Sequence, residues 1–169
     1  MRIDRDGKIY YSWRDYQIDL NDIDAFMFDH VVGIYRGSLG MAAHVSNCFS
    51  VPMSIIGFQT RDGKDNEPYW MHNALEENNP YEEGQTIMVV DDIYDTGNTM
   101  RKVMNFIIKA RTKPSAYPEV IGHCLFGKAN DDKVSYSQFH DGSWIVFPWE
   151  TLDESILSLI HISEPTRPY

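Results

Sequence analysis

Apolar positions along this chain fall into two rhythms that take turns. Ser12 followed three residues later by Asp15 has the form of a capping box, and it opens a short helix predicted from Trp13 to about Ile23. His30–Tyr35 reads His-Val-Val-Gly-Ile-Tyr, a short β-branched run of the buried-strand kind. After the turn Arg36-Gly37-Ser38, a helix is predicted over Leu39–Phe49, with Gly40, Ala42 and Ala43 small enough to sit close on a sheet. Met53–Gln59 is the next strand. Thr60 to Gln85 is polar, rich in Asn, Glu, Asp and Gly, and reads as a long loop of the functional or disordered kind. Thr86–Asp91 is a strand, and Asn98 or Thr99 to Thr112 a helix that stops before Lys113-Pro114. Val120–Phe126 is another strand, and Val134–His140 and Trp144–Phe147 are shorter alternating segments. Strand and helix alternate through the first 126 residues, which predicts an α/β fold: a parallel sheet with crossover helices.

Composition narrows the class. The 169 residues are 43% hydrophobic, enough for one domain with a real core. No eighteen-residue apolar run exists, and Met1-Arg2-Ile3-Asp4-Arg5-Asp6 lacks the apolar stretch of a signal peptide, so no membrane partner is expected. Cys48 and Cys124 sit far apart in apolar sequence and are expected to be reduced core thiols of a cytoplasmic protein. No Cys/His cluster has zinc spacing. The net charge of −10, with no basic run, argues against nucleic acid as a partner. Arg36, Arg61, Lys64 and Lys128 each stand alone near a loop signal, which leaves room for a local basic pocket around a small anion. The end of the chain is unusual: Leu157-Ser158-Leu159-Ile160-His161-Ile162-Ser163-Glu164-Pro165-Thr166-Arg167 resembles the in-frame translation of a transposase adapter from sequencing libraries. Residues 157–169 are therefore expected to be a non-native tail to a domain spanning 1–156, the other reading being an ordinary C-terminal helix.

The chemistry concentrates in Val89-Val90-Asp91-Asp92-Ile93-Tyr94-Asp95-Thr96-Gly97-Asn98-Thr99. A strand runs into two acids, a third acid follows, and a Thr-Gly-Asn-Thr turn opens a helix. Ligands of open parallel sheets bind beyond the carboxyl ends of strands. Here the loop offers successive N–H groups from Asp95 to Thr99, the helix start favours an anion, and the Thr96 and Thr99 hydroxyls add donors. Gly97 and Asn98 tolerate left-handed backbone. Carboxylates repel phosphate, but they accept hydrogen bonds from sugar hydroxyls and hold Mg²⁺. Asp91 and Asp92 face opposite ways if still extended, so both reach a ligand only where the strand gives way to the loop. Vicinal acids beside a phosphate-sized loop favour a phosphorylated ribose.

That string resembles the phosphoribosyl-pyrophosphate motif of type I phosphoribosyltransferases, and most of all that of the bacterial xanthine-guanine branch of the 6-oxopurine enzymes, over roughly residues 10 to 150. The resemblance implies a parallel sheet flanked by helices, with a small hood near residues 127–150. It assigns Asp91 and Asp92 to the ribose hydroxyls and magnesium, Asp95 to general acid/base work at N7 of the purine, and Thr96, Gly97, Asn98 and Thr99 to the 5′-phosphate. Gly33-Ile34-Tyr35-Arg36-Gly37-Ser38-Leu39 resembles the pyrophosphate loop, usually Arg-Gly-Gly. Arg36 would fork onto the pyrophosphate, and Gly37 would let backbone come close. Ser38 departs from the common second glycine, and its hydroxyl is expected to serve as a donor to phosphoribosyl pyrophosphate beside Arg36 and Gly37. Family members often hold a cis peptide before the arginine, here Tyr35–Arg36.

The segment from Thr60 to Gln85 resembles the loop that closes over the reacting centre, with Arg61 and then Lys64 as cations for the leaving pyrophosphate. In the purine branch a lysine after a strand contacts the 6-oxo group, an aromatic stacks on the base, and the next carbonyl reads the 2-position. Lys128, Trp144 and Ile145 match those places. Such stacking is worth about 1–3 kcal/mol. Trp149 reads as core, as do His30, His44, His123 and His140 as core or surface. The activity implied is Mg²⁺-dependent transfer of phosphoribose from phosphoribosyl pyrophosphate to xanthine, guanine or hypoxanthine in purine salvage, by a homo-oligomer. Its rivals are a non-catalytic sensor of phosphoribosyl pyrophosphate with the same fold and a transferase for another acceptor.

Overall fold

Five of the predicted strand segments, joined by Tyr69–His72, pair into one sheet. The structure is a computed structural model that describes residues 2–3, 7–25, 27–58, 67–73, 84–110, 118–128 and 131–150. Its strands are β1 (Arg2–Ile3), β2 (Ile9–Tyr10), β3 (His30–Tyr35), β4 (Met53–Gly57), β5 (Tyr69–His72), β6 (Thr86–Tyr94), β7 (Glu119–Gly127), β8 (Val134–Phe139) and β9 (Ile145–Val146). Its helices are α1 (Trp13–Asp19), continued by a 3-10 segment Leu20–Ala25, α2 (Leu39–Phe49) and α3 (Asn98–Lys109). Two compact units result: one from the residues up to Ile18 and from Gly142 onward, the other Asp19–Asp141.

In the larger unit the sheet order is β5-β4-β3-β6-β7-β8, parallel throughout except for the antiparallel edge strand β5. The two crossover helices lie on opposite faces, and the two-residue period of a strand shows why. Ala42 of α2 closes on Gly33, where an added Cβ would come within 2.6 Å of the alanine methyl. Its neighbours on either side, Val32 and Ile34, point the other way into the cluster that α3 covers with Met100, Val103, Met104 and Ile107. Each such fully buried side chain contributes about 1.5–3 kcal/mol. Of the three small residues in α2, only Ala42 is fully buried; Gly40 is exposed.

The predicted elements mostly stand, with β3 and α2 at their expected ends. α1 gives way to 3-10 geometry after Asp19 rather than running as one helix to Ile23. Two differences bear on the site. β6 does not stop at Asp91 but runs to Tyr94, because β7 pairs with it as far as Tyr94↔Gly127. The long polar segment is not one uninterrupted loop, since Tyr69–His72 pairs with β4 as β5. The expected ends Gln59 and Thr112, and the tail 157–169, lie outside the described residues.

The smaller unit holds a three-stranded sheet, β1-β2-β9, in which β2 and β9 run parallel. The Ser12–Asp15 capping box forms as expected: Asp15 N–H donates to Ser12 Oγ at 3.2 Å and Ser12 N–H to Asp15 Oδ2 at 3.1 Å. Trp149 stacks on Phe147 at 4.8 Å and meets Tyr16 edge-on, so it packs within an aromatic cluster.

His30, His123 and His140 are buried. His123 sits between the Ser135 and Ser137 hydroxyls, at 2.8 and 3.2 Å. His30 Nε2 lies 2.8 Å from Ser54 Oγ, and burial lowers its pKa from 6.5 to about 4. The unfolded chain therefore takes up this proton near pH 6.5 and the fold only near 4. The stability that His30 contributes is whole above the higher value and drains away as pH falls to the lower, by about 3 kcal/mol in all. Urea unfolding between pH 7 and 4 is expected to show this loss, with a shallower slope for His30→Gln. An identical slope in the variant would contradict it.

The cysteines correct one expectation. Both are free, but only Cys124 is buried; Cys48 is exposed. In the last turn of α2 it is Phe49 that turns inward, onto Phe28 at 5.0 Å. Burial first, and then the neighbouring Asp91 and Asp92 charges, push the Cys124 thiol well above its ordinary range. One thiol per native chain is expected to react with a chromogenic disulfide reagent and two in denaturant. Two rapid native reactions would contradict this.

Candidate functional site

The carboxyl end of β6 carries the expected acids, and the strand's extra length separates them. Asp91 is buried, with Oδ1 accepting the Asp92 N–H at 3.0 Å. Burial, and then the charge of Asp92, push its carboxyl well above the usual carboxylate range. Asp92 is half-buried, and its carboxylate packs against Gly37 of the neighbouring β3–α2 turn: a Cβ on Gly37 would overlap Asp92 Oδ2. This close approach joins the two sequence motifs in space. Arg36 is exposed beside it, following a cis peptide at Tyr35–Arg36.

Ser38 plays a part the sequence does not show. It is fully buried; its hydroxyl donates to Ile34 O at 2.7 Å and accepts the Ile34 N–H at 2.6 Å. Its own N–H also reaches Ile34 O, at 3.3 Å. The hydroxyl expected as a ligand donor is thus spent on closing the turn back onto β3.

Beyond β6, Asp95 and Thr96 are exposed and Gly97 takes φ +75, the left-handed region that glycine alone enters freely. Gly97 is the N-cap of α3, and no side chain caps that helix. The Asn98 N–H meets Thr96 Oγ1 at 3.4 Å, and the N–H groups that follow it in the first turn are left without a side-chain cap beside the exposed Asn98 and half-buried Thr99. Arg101 braces this loop, donating from a guanidinium nitrogen to Thr96 O at 2.6 Å. The sequence signal for it was faint: a cation one turn into the helix, three residues after Asn98.

Lys128 leaves the end of β7, where its N–H donates to Tyr94 O at 3.1 Å. Its ammonium forms an ion pair with Asp95, and both side chains are about half exposed. The structure thus brings Arg36, Gly37, Asp91, Asp92, Asp95, the 96–99 loop and Lys128 to the carboxyl ends of β3, β6 and β7.

Trp144 and Ile145 belong to the smaller unit. There Trp144 is 70% exposed, so it is not a core tryptophan. β2 bonds to the carbonyls of Trp144 and Val146, through Ile9 N–H at 2.8 Å and Tyr11 N–H at 3.0 Å. Successive carbonyls alternate along a strand, so that of Ile145 points away from β2. Arg61 and Lys64 lie outside the described residues.

Among the described residues no group of three or more His, Cys, Asp or Glu side chains could hold a metal. Of Asp91 and Asp92 only the latter is half-exposed, and the Asp91 carboxyl is buried and pushed above the carboxylate range, so the pair supplies one accessible carboxylate and two at most. That donor set suits Mg²⁺ arriving with substrate oxygens already bound, since this ion is commonly held by one or two carboxylates plus phosphates and water.

A parallel sheet, acids at the carboxyl end of its central strand and a glycine-started helix beside them define the class. A family model described as "Phosphoribosyl transferase domain" matches residues 9–155, and the chain belongs to that family. Within it the chain stands near the bacterial xanthine-guanine branch. It is 24% identical over 157 residues to a xanthine-guanine phosphoribosyltransferase of Idiomarina loihiensis, covering 85% of this chain and 87% of that one. A namesake in Gluconobacter oxydans is 24% identical over 131 residues, covering 73% and 70%. Among solved structures, the purine phosphoribosyltransferase of Pyrococcus horikoshii aligns with a TM-score of 0.65 at 23% identity, covering 86% of this chain and 95% of that one. The xanthine-guanine-hypoxanthine enzyme of Helicobacter pylori aligns with a TM-score of 0.64 at 16% identity, covering 91% and 99%. These two likenesses concern the fold. No helix among the described residues is long and apolar enough to cross a membrane.

Proposed function

We propose that the chain is a Mg²⁺-dependent purine phosphoribosyltransferase that joins xanthine, guanine or hypoxanthine to the ribose of phosphoribosyl pyrophosphate, releasing pyrophosphate and the nucleoside 5′-monophosphate. The observation that carries this reading is the Asp95–Lys128 ion pair beside the uncapped start of α3. It sets an acid and a cation, the two groups a 6-oxopurine needs at N7 and O6, one residue from the phosphate-facing loop.

In this reading the 5′-phosphate sits on the N–H groups and hydroxyls of Thr96, Gly97, Asn98 and Thr99, where the helix dipole adds to the attraction. Asp91 and Asp92 take the ribose hydroxyls, and Mg²⁺ bound with the substrate would rest on the same pair and offset charge on the leaving oxygens. Arg36 forks onto the pyrophosphate, whose entry Gly37 permits; Arg61 and Lys64 are proposed to complete the cationic wall. The base nitrogen attacks C1 as the C1–pyrophosphate bond breaks, and positive charge develops on the ribose. Asp95 handles the N7 proton, Lys128 holds O6, Trp144 stacks on the ring, and the Ile145 carbonyl reads the 2-position. A cytoplasmic, purine-salvage setting and a homo-oligomer are part of the same proposal.

The test is to incubate the purified chain with Mg²⁺, phosphoribosyl pyrophosphate and each of xanthine, guanine, hypoxanthine and orotate. Nucleotide from a 6-oxopurine supports the reading. Product from orotate alone favours another acceptor, and binding of the sugar without any product favours a sensor.

A further inference from the structure

Between the paired acids and Asp95 stands Tyr94, which has no part in the chemistry above. Its side chain is 1% exposed and packs in the cluster that α3 covers. An aliphatic side chain would serve such a cluster equally well, and a buried phenol needs a polar partner. Tyr94 finds one on a distant segment: its hydroxyl donates to Asp131 Oδ2 at 3.0 Å. The other oxygen of Asp131 accepts the Lys133 N–H at 3.0 Å, so this carboxylate is engaged on both sides.

Two further contacts meet at the same residue. The Tyr94 carbonyl accepts the Lys128 N–H at 3.1 Å. The phenol lies directly against Gly97, where a Cβ would come within 2.5 Å of the Tyr94 hydroxyl oxygen and 2.8 Å of an Arg101 guanidinium nitrogen. Arg101 in turn grips the Thr96 carbonyl. The charge states suit the arrangement. Burial, followed by Asp131, raises the phenol above its ordinary pKa and keeps it a donor. The Lys133 N–H foremost, with help from Tyr94, holds Asp131 below the usual carboxylate range. The bond is therefore charge-assisted.

We propose that Tyr94 is a positioning residue: through its hydrogen bond to Asp131 it fixes the Thr96–Thr99 loop and the segment carrying Lys128 to one another. The proposal rests on the reading of that loop and of Lys128 as the phosphate and base contacts. It goes further in making one buried phenol the common support of both subsites. Loosening that support then weakens the seating of sugar and base together, without touching the proton step at Asp95.

The test uses the full chain and the variants Y94F, D131A, D131N and the double variant Y94F/D131A. Calorimetry with phosphoribosyl pyrophosphate and Mg²⁺ is combined with steady-state kinetics for phosphoribosyl pyrophosphate and guanine. Y94F keeps the ring and loses only the bond. It and D131A are each expected to raise Kd for the sugar, and both KM values, about five- to tenfold, while kcat stays within about threefold. The double variant is expected to be no worse than either single one, since both remove the same bond. D131N keeps an accepting oxygen and is expected to stay within about twofold of the parent.

Unchanged Kd and KM values in Y94F and D131A, with only a lower Tm, would overturn the proposal by making the bond purely structural. So would additive losses in the double variant. A parent chain that neither binds the sugar nor transfers it would remove the functional reading and this proposal together, a result distinct from a binding parent with unaffected variants.

Discussion

Asp95→Ala is expected to lower kcat by about a hundred- to ten-thousandfold, the usual worth of a positioned acid/base, while Kd for phosphoribosyl pyrophosphate changes by no more than about threefold. The split follows from position. Asp95 is exposed at the mouth of the loop and paired with Lys128, whereas the sugar's expected contacts are the loop N–H groups, Asp91, Asp92 and Arg36. Asp95→Asn keeps the shape and loses the basicity, so it should fall nearly as far in kcat. Removing the acid also leaves the Lys128 ammonium without its partner, and a modest change in KM for the base is expected alongside. Single-turnover measurement with saturating base separates the two effects. An unchanged kcat in Asp95→Ala would show that the carboxylate moves no proton.

The second large effect is expected from a single methyl group. Gly37→Ala places a Cβ where Asp92 Oδ2 now sits, so the carboxylate must leave its place or the β3–α2 turn must open. Either shift misplaces a ribose-facing group by about an ångström, enough to cost about a hundredfold in kcat/KM for phosphoribosyl pyrophosphate. Destabilisation from the overlap itself should be about 1–3 kcal/mol, which leaves the fold intact. Gly40→Ala is the matched control. Gly40 is exposed on α2 with nothing within 4 Å of an added Cβ, so this variant is expected to gain about 0.5–1 kcal/mol in stability and keep its kinetics. Equal kinetics for both variants would mean that Gly37 and Asp92 do not share a site.

The parts that were legible in the sequence are those written in local pattern. β3 and α2 are bounded by an abrupt change from β-branched residues to Arg-Gly-Ser, and both ends were readable. The Ser12–Asp15 box was readable because its spacing is its geometry. β5 was not, since Tyr69–His72 is an edge strand whose residues are mostly exposed, with no alternation to set it apart from the polar run around it. The length of β6 was misread because Asp91 and Asp92 look like the end of a strand, while pairing with β7 continues to Tyr94. That pairing explains why Asp91 is buried and only Asp92 stands half-exposed at the turn.

At the site, the string from Asp91 to Thr99 could be read as chemistry because vicinal acids beside a glycine turn are rare in a plain loop. The roles of Ser38, Arg101 and the Tyr94–Asp131 pair could not, as each depends on which way a side chain turns. Ser38 shows the point in one residue: its hydroxyl looked like a ligand donor, and it closes the turn instead.

The claim beneath all of this is that the acids of β6, the Arg36-Gly37 turn and the open amides before α3 receive one activated sugar. Isothermal titration of phosphoribosyl pyrophosphate into the chain with Mg²⁺ tests it most directly. A saturable curve with one site per chain, lost in Gly37→Ala, is the expected result; a flat titration of the folded parent chain would contradict the account.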